Sequence, residues 1–187
     1  MSALKSLCVY CGSSPGDDRR FKEAACTLGA DMARRGVRLV YGGGGMGLMG
    51  ETARTVRDAG GDVFGVIPEF LLQKEGLVEG INHQVVTTMH ERKMLMFDEA
   101  DAFCALPGGI GTLEEVIETL SWARLDLHRK PVIVVNIDNF WSPLLDLMGH
   151  IVDRGFAPAA FRDCIVVVES PEEVIGAAEK RLVKGVI

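Results

Sequence analysis

Residues 101–120 read DAFCALPGGIGTLEEVIETL, and this stretch decides the fold. The apolar run Asp101–Leu106 has the length of a strand, and Pro107 ends it. Three glycines follow, and apolar residues then recur at helical spacing, at Leu113, Val116, Ile117 and Leu120. The stretch therefore predicts a strand, a glycine turn and a helix, which is the repeating unit of a parallel sheet.

The same unit recurs along the chain. Further strands are predicted at Leu4–Tyr10, Val37–Tyr41, Asp62–Ile67, Pro131–Ile137 and Cys164–Val168. Several of these runs are apolar at almost every position, as in a parallel sheet that helices cover on both faces. No linker, repeat or charge block divides residues 1–187, so the sequence predicts a single doubly wound, Rossmann-like α/β domain with a mostly parallel sheet.

The segment between Pro68 and Met89 departs from this alternation of strands and helices. It is long for a connection in such a domain, and long connections are often functional. We expect it to hold either a short extra strand or a lid.

The composition excludes several classes of protein. Charged residues make up 25% and hydrophobic residues 48%, which are ordinary globular proportions. The net charge of −6 argues against nucleic acid or an anionic membrane as a partner. The first residues do not resemble a signal peptide, and the five cysteines are an odd number, so we expect reduced thiols and a cytoplasmic protein.

Two of the cysteines, Cys8 and Cys11, form a C-x-x-C pair, which occurs in redox and metal sites. Residues three apart on a strand point to opposite faces, however, so we interpret both as core cysteines. The four histidines lack the spacing of metal ligands; they are His83, His90, His128 and His150. The sequence therefore predicts no metal and no cofactor.

Glycine is in excess, at 22 of 187 residues, or about 12% against an expected share of roughly 7%. Half of the glycines fall in three turns that follow predicted strands, at residues 11–16, 42–50 and 107–112. Ligands of open parallel sheets bind beyond the C-terminal ends of the strands. Glycine turns leave backbone N–H groups open to an anion, and a helix N-terminus behind them adds partial positive charge. The turns therefore predict a site for a phosphorylated ligand.

Three patterns near these turns leave alternatives open. Gly45–Gly50, with Glu69 beyond it, imitates a dinucleotide-binding fingerprint or forms only a tightly packed turn. Arg92 and Lys93 lie in a predicted helix and form either a ligand-binding pair or a solvated basic face. Glu115 is either a catalytic carboxylate or, with the threonine three positions earlier, half of a helix capping box.

Four segments together resemble the Lonely Guy family, which was long mislabelled as lysine decarboxylases. Residues 107–115, PGGIGTLEE, fit the family's PGGxGTxxE motif. Residues 8–14 (CVYCGSS), 42–50 (GGGGMGLMG) and 89–93 (MHERK) match as well, and in the same order. The resemblance spans roughly residues 5 to 156.

The resemblance implies a phosphoribohydrolase that hydrolyses the N-glycosidic bond of a nucleoside 5′-monophosphate to free base and ribose 5-phosphate. In that family the substrates are cytokinin riboside monophosphates, whose hydrolysis activates the cytokinin, and often AMP. Cleavage of the C1′–N bond develops positive charge on the ribose, and a carboxylate beside it is the natural stabiliser. The family's catalytic arginine and glutamate fall on Arg92 and Glu115.

The resemblance also implies substrate-binding positions and an assembly. The substrate-binding positions fall on Ser13, Gly43, Gly44, Gly45, Glu75, Lys93, Gly108, Gly109, Ile110, Gly111, Thr112, Leu113, Glu114 and Ser121. Ser121 stands where a threonine is common in the family. A homodimer is implied, with the helix at residues 112–127, which includes Trp122, as a plausible interface.

Other functions remain open from the residues alone. An NAD(P)-dependent oxidoreductase would use Gly45–Gly50 and Glu69, but it would leave Pro107–Glu115 without a role. A non-catalytic nucleotide carrier would bind AMP without releasing adenine. A lysine decarboxylase would need a lysine that forms a Schiff base with pyridoxal phosphate, and the sequence marks none.

Overall fold

Strands and α-helices alternate through residues 4–184, the part of the chain that the computed structural model describes. The strands are β1 (Ser6–Tyr10), β2 (Arg38–Tyr41), β3 (Val63–Pro68), β4 (Asn82–Val86), β5 (Ala102–Ala105), β6 (Val132–Val135) and β7 (Val166–Val168). The α-helices are α1 (Arg19–Arg35), α2 (Gly47–Asp58), α3 (Glu69–Glu75), α4 (Met89–Asp98), α5 (Ile110–Arg124), α6 (Ser142–Asp153) and α7 (Val174–Lys184). None of the helices in this part of the chain is long and apolar enough to cross a membrane.

The seven strands form one sheet in the order β4-β3-β2-β1-β5-β6-β7, and every pair of neighbours is parallel. The chain builds the sheet outward from β1 in both directions, so its order reverses between β1 and β5. Val9 in β1 pairs with Tyr41 in β2 on one side and with Cys104 in β5 on the other. The predicted doubly wound α/β fold is confirmed.

Side chains alternate between the two faces of the sheet and form two buried layers. Leu7 and Val9 pack in the layer covered by α1, α2 and α7, whereas Cys8 and Tyr10 pack in the layer covered by α4, α5 and α6. Cys11 lies in the first layer and Cys8 in the second, and both are free thiols whose pKa is raised by burial. The interpretation of both as core cysteines is confirmed.

The predicted strands are mostly one or two residues longer than the observed ones. Asp101 shows why. It was predicted as the first residue of β5, but its side chain instead accepts hydrogen bonds from the backbone N–H groups of Lys5 (2.9 Å) and Ser6 (3.1 Å). A charged residue that caps a neighbouring strand end in this way cannot be told from the first residue of a strand by sequence alone.

The long segment after Pro68 contains both α3 and the edge strand β4. The predicted extra strand is therefore confirmed, and four of its five residues are exposed. The helix α3 was not predicted, because it is only seven residues long and buries none of its side chains. An antiparallel bridge between Gly44 and Leu77 ties this segment to the turn after β2.

The three glycine turns meet at the C-terminal edge of the sheet, as expected. The N–H of Gly12 donates to the carbonyl of Pro107 (3.1 Å), and the N–H of Met49 donates to the carbonyl of Gly12 (3.3 Å). Gly47 has φ +55°, and a Cβ atom there would lie only 2.3 Å from the backbone of Ser13. These contacts bring the loops after β1, β2 and β5 together at one place.

Candidate active site

A cavity of about 350 Å³ opens at this edge of the sheet, between α3, α4 and the start of α5. Its walls come from all three glycine turns and from the three helices. The lining residues are Cys11, Ser13, Met49, Leu71, Glu75, Met89, Arg92, Gly109, Ile110, Gly111, Thr112 and Glu115.

Arg92 lies in the first turn of α4, where a capping box fixes the start of the helix. The Thr88 hydroxyl accepts from the N–H of Glu91 (3.1 Å), and the Glu91 carboxylate accepts from the N–H of Thr88 (3.1 Å). Arg92 is 8% exposed, and its Nε donates to the carbonyl of Val66 (3.3 Å). The guanidinium is therefore held at a set position on the floor of the cavity.

Glu115 on α5 faces Arg92 across the cavity. Arg92 Nη1 lies 2.9 Å from Glu115 Oε1, and the glutamate is also 8% exposed. The two groups form a close ion pair, but their geometry does not make a hydrogen bond. Oε1 accepts no hydrogen bond from any described residue. A buried polar atom left in this state is one that a ligand or a water molecule normally satisfies.

Burial raises the pKa of the Glu115 carboxyl, and the positive charge of Arg92 opposes that rise. The Thr119 hydroxyl, one turn after Glu115, donates to the carbonyl of Glu115 (2.8 Å) and is hydrogen-bonded to Tyr10 Oη at the end of β1 (3.2 Å). The carboxyl group is thus desolvated, and the helix turn that carries it is tied to Tyr10 of β1. These are properties of a functional carboxyl group.

The capping interpretation of Glu115 is wrong. The helix begins three residues earlier than a threonine cap would require, with Gly109 as its N-cap. Thr112 therefore lies inside the first turn, and Glu115 lies in the second turn, where it faces Arg92 rather than the helix start.

The first turn of α5 suits an anion. Gly109 has no side chain, and no described side chain caps the turn. The N–H of Leu113 is the first to bond within the helix, to the carbonyl of Gly109 (3.0 Å). The preceding N–H groups, on residues that line the cavity, are left without helical partners and carry the positive end of the helix dipole.

Lys93 does not line the cavity, although it follows Arg92 in the chain. Its ammonium group pairs with Glu114 (2.8 Å) and Glu118 (2.9 Å), which bridges α4 to α5. These carboxylates raise the pKa of Lys93, so its amine stays protonated. The alternative of a solvated basic face is wrong, because Arg92 is buried and Lys93 is only 17% exposed.

The structure brings together only some of the predicted site residues. Ser13, Glu75 and Gly109–Thr112 line the cavity with Arg92 and Glu115. The other predicted site residues lie elsewhere. Gly43, Gly44 and Gly45 lie behind the lining, and Gly108 lines a neighbouring cavity. Leu113 packs against the core, Glu114 pairs with Lys93, and Ser121 is exposed on α5.

Two sets of residues were not assigned from the sequence. Met49, Leu71, Met89 and Cys11 add apolar walls to the cavity, and nothing in their local pattern distinguishes them from core or surface residues. A second cavity of about 220 Å³ lies at the switch between β1 and β5, with Phe21 and Phe140 in its wall. It shares Ser13 and Gly109 with the first cavity.

The fingerprint-like glycines, Gly45–Gly50, pack against protein instead of lining a cavity. A Cβ atom at Gly50 would lie 2.1 Å from the carbonyl oxygen of Gly45, which also accepts from Arg54 Nη1 (2.9 Å). Glu69 is exposed at the start of α3 and does not line the cavity. The alternative of a tightly packed turn accounts for these glycines.

Comparisons with known proteins agree on one family. The family model described as possible lysine decarboxylase matches residues 49–178. A probable cytokinin riboside 5′-monophosphate phosphoribohydrolase of Oryza sativa subsp. japonica is 44% identical over 180 residues, which cover 96% of this chain and 79% of the relative. A cytokinin riboside 5′-monophosphate phosphoribohydrolase of Arabidopsis thaliana is 43% identical, and the match covers 96% of this chain and 83% of the relative.

Among solved structures, the Moco carrier protein of Chlamydomonas reinhardtii superposes with a TM-score of 0.73 over 97% of this chain and 99% of that chain. The two sequences are 20% identical, so this likeness concerns the fold alone. The decarboxylase description finds no support in the cavity, since its described lining contains no lysine and Lys93 is held by two carboxylates.

Proposed function

The chain belongs to the Lonely Guy family of cytokinin riboside 5′-monophosphate phosphoribohydrolases, and from this membership we propose how its cavity works. The protein is a hydrolase that cleaves the N-glycosidic bond of a nucleoside 5′-monophosphate. Water adds to C1′ of the ribose, the C1′–N bond breaks, and the base leaves with a proton. The products are the free base and ribose 5-phosphate, and water is the only co-reactant.

The observation that supports this assignment best is the buried Arg92–Glu115 pair beside the uncapped start of α5 in a single cavity. A nucleoside monophosphate has a dianionic end and, a few ångströms away, a glycosidic bond that becomes cationic at the ribose when it breaks. The N–H groups of Gly109–Thr112 suit the phosphate, and Ser13 lies beside them. The ribose then lies over Glu115.

Each charged side chain has a distinct role in the proposed reaction. The Glu115 carboxylate stabilises the oxocarbenium-like ribose or orients the attacking water. Arg92 anchors the substrate and donates hydrogen bonds to the departing base, which limits the negative charge on its nitrogen. Glu75, at the end of α3, lies on the cavity wall, and in this proposal it binds the base.

The relatives' names point to bases that carry a cytokinin side chain, and plain AMP is the second candidate substrate. The apolar part of the wall, formed by Met49, Leu71 and Met89, is compatible with an aromatic base or an alkyl substituent. We place the enzyme in cytokinin activation and biosynthesis on this basis, with no nucleic acid or membrane as partner. The five cysteines are free thiols, which supports a cytoplasmic location.

A homodimer through α5 is part of the proposal. Exposed apolar side chains lie on this helix at Ile117 (43% exposed) and directly after its C-terminal end at Leu125 (58%) and Leu127 (67%). Trp122, in contrast, packs edge-on against Phe97 within the same chain, with ring centroids 5.0 Å apart. The interface is therefore expected to use the aliphatic residues rather than the tryptophan.

A product assay over a panel of substrates tests the proposal. AMP, isopentenyladenosine monophosphate, other nucleoside monophosphates, and adenosine without a phosphate are incubated with the enzyme, and free base and ribose 5-phosphate are quantified. We expect equal amounts of both products from a purine monophosphate and at least roughly 100-fold slower release from the unphosphorylated nucleoside, since the start of α5 then has no anion to bind. Tight binding of AMP without any release of adenine would support a carrier instead.

A further inference from the structure

The glycine run after β2 was expected to bind substrate through Gly43–Gly45, but Gly42–Gly45 do not line the cavity. We propose that Gly42 is a positioning residue, whose missing side chain provides the space in which the Arg92 guanidinium lies. Its functional consequence rests on the proposed hydrolysis, whereas its structural part does not.

The space at Gly42 is occupied by Arg92. A Cβ atom on Gly42 would lie 2.0 Å from Arg92 Nη2 and 3.1 Å from its Cζ, and no real contact is that short. The other sides of the guanidinium are taken by the carbonyl of Val66 (3.3 Å from Nε) and by Glu115 (2.9 Å from Nη1). An added methyl group therefore has to displace the guanidinium from the position where it meets Glu115.

Backbone conformation does not require a glycine at position 42. Its φ lies outside the left-handed region, so an alanine could adopt the same backbone without strain. The next residue, Gly43, differs, because its φ of +80° requires glycine for the turn itself. The requirement at Gly42 is thus for room, and nearly all of that room is taken by one functional side chain.

Gly44 repeats the arrangement for the second charged residue on this side of the cavity. Its φ is also outside the left-handed region, and a Cβ atom there would lie 2.5 Å from Glu75 Oε2. The N–H of Gly45 donates to the carbonyls of Glu75 (3.1 Å) and Gly76 (3.2 Å), which fixes the segment that carries Glu75. The run thus accommodates Arg92 at one glycine and Glu75 at another.

A double-mutant cycle tests the proposal for Gly42. Gly42→Ala, Arg92→Ala and the double variant are compared by thermal unfolding and by kcat and KM for AMP. We expect Gly42→Ala to lower Tm in the wild-type background and to leave Tm unchanged or raised in the Arg92→Ala background, where the methyl group enters vacated space. We expect kcat to fall by roughly 100-fold in Gly42→Ala, as for an ångström-scale misplacement of a reacting group. Adding Gly42→Ala to Arg92→Ala should lower kcat no further.

Gly61→Ala is the matched control. Gly61 also has φ outside the left-handed region, and its added Cβ would lie 2.7 Å from Val56 Cγ1, far from the cavity. It should lower Tm equally with and without Arg92 and leave kcat unchanged. Equal Tm losses for Gly42→Ala in both backgrounds, or wild-type kcat in that variant, would overturn the proposal.

Two further outcomes are also decisive. If Gly42→Ala alone fails to fold, folding of the double variant supports the proposal, and failure of both contradicts it. If the wild-type protein releases no base at all, the proposed function fails, but the unfolding cycle still decides whether Gly42 accommodates Arg92.

Discussion

Arg92 and Glu115 are each 8% exposed, and burying an ion pair of this kind is costly. Removing charges from water costs roughly several kcal/mol per ion, and mutual attraction often fails to repay it. The fold therefore gains little from the pair, whereas in the proposed reaction the substrate meets two charges that are already desolvated. The proposed catalytic role accounts for a pair that contributes little to stability, and the proposed role of Gly42 is to leave room for its arginine.

Glu115→Gln keeps the shape of the side chain and removes its charge. We expect kcat for AMP hydrolysis to fall by roughly 100- to 1,000-fold, the usual effect of removing one electrostatic contact to a transition state. The matched control is Glu118→Gln, one turn further along the same helix, which should change kcat little because Lys93 keeps its pairing with Glu114. Unfolding curves establish that both variants fold, and equal kcat in the two variants would contradict the role of Glu115.

The pH dependence of hydrolysis follows from the same carboxyl group. Burial raises the pKa of Glu115, so the group takes up a proton at a higher pH than an ordinary glutamate does. Because hydrolysis uses the carboxylate, kcat/KM should fall on the acid side with a midpoint above the ordinary value of roughly 4.3. Arg92→Ala removes the charge that opposes the rise, so its residual activity should lose the carboxylate at a still higher pH. A midpoint at or below the ordinary value in the wild type would speak against a desolvated Glu115.

At the scale of elements, two helix starts present the site. The start of α4 carries Arg92 and is fixed by a capping box, whereas the start of α5 has an N-cap glycine and is left open. The difference is physical, since a capped start satisfies its own N–H groups and an uncapped start offers them to a ligand. Lys93 joins the two helices through its carboxylate partners on α5.

Thr88→Ala removes the cap of α4 and should act on both stability and rate. We expect a loss of about 1 kcal/mol in the free energy of unfolding, together with a lower kcat, since Arg92 lies in the turn that frays. Ser170→Ala removes the corresponding capping box before α7, far from the cavity. It should cost similar stability with unchanged kcat. Denaturant titrations and AMP kinetics on both variants check this, and an equal effect of the two variants on kcat would refute it.

At the scale of the whole molecule, the sheet order brings three distant loops and three helices to one edge. Apolar runs and glycine turns were enough to predict the doubly wound sheet and the edge at which the candidate cavity lies. They were not enough for α3, which buries no side chain, nor for the apolar walls at Met49 and Leu71. That Arg92 and Glu115 share one site was expected from family resemblance alone, and their direct contact was not predicted, because it depends on how α4 and α5 pack. The proposed role of Gly42 could be inferred only from the structure, because its short distance to the Arg92 side chain produces no pattern in the local sequence.

The proposed dimer is tested at this scale by adding a charge to α5. Ile117→Glu places a carboxylate among the exposed apolar residues of α5 and should shift the protein from dimer to monomer in light scattering. Val183→Glu is the control, since that residue is 64% exposed on α7, which covers the opposite face of the sheet. A wild-type protein that is monomeric at working concentration, or an Ile117→Glu variant that stays dimeric, would contradict the interface.

The central claim is that this cavity hydrolyses a glycosidic bond with Glu115. The most direct measurement follows AMP with time and quantifies adenine, ribose 5-phosphate, adenosine and orthophosphate for the wild type and Glu115→Gln. The account predicts that wild-type enzyme releases adenine and ribose 5-phosphate in equal amounts, with neither adenosine nor orthophosphate, and that Glu115→Gln nearly abolishes both products. Release of orthophosphate together with adenosine would contradict it. Release of adenine by the Glu115→Gln variant at the wild-type rate would contradict it as well.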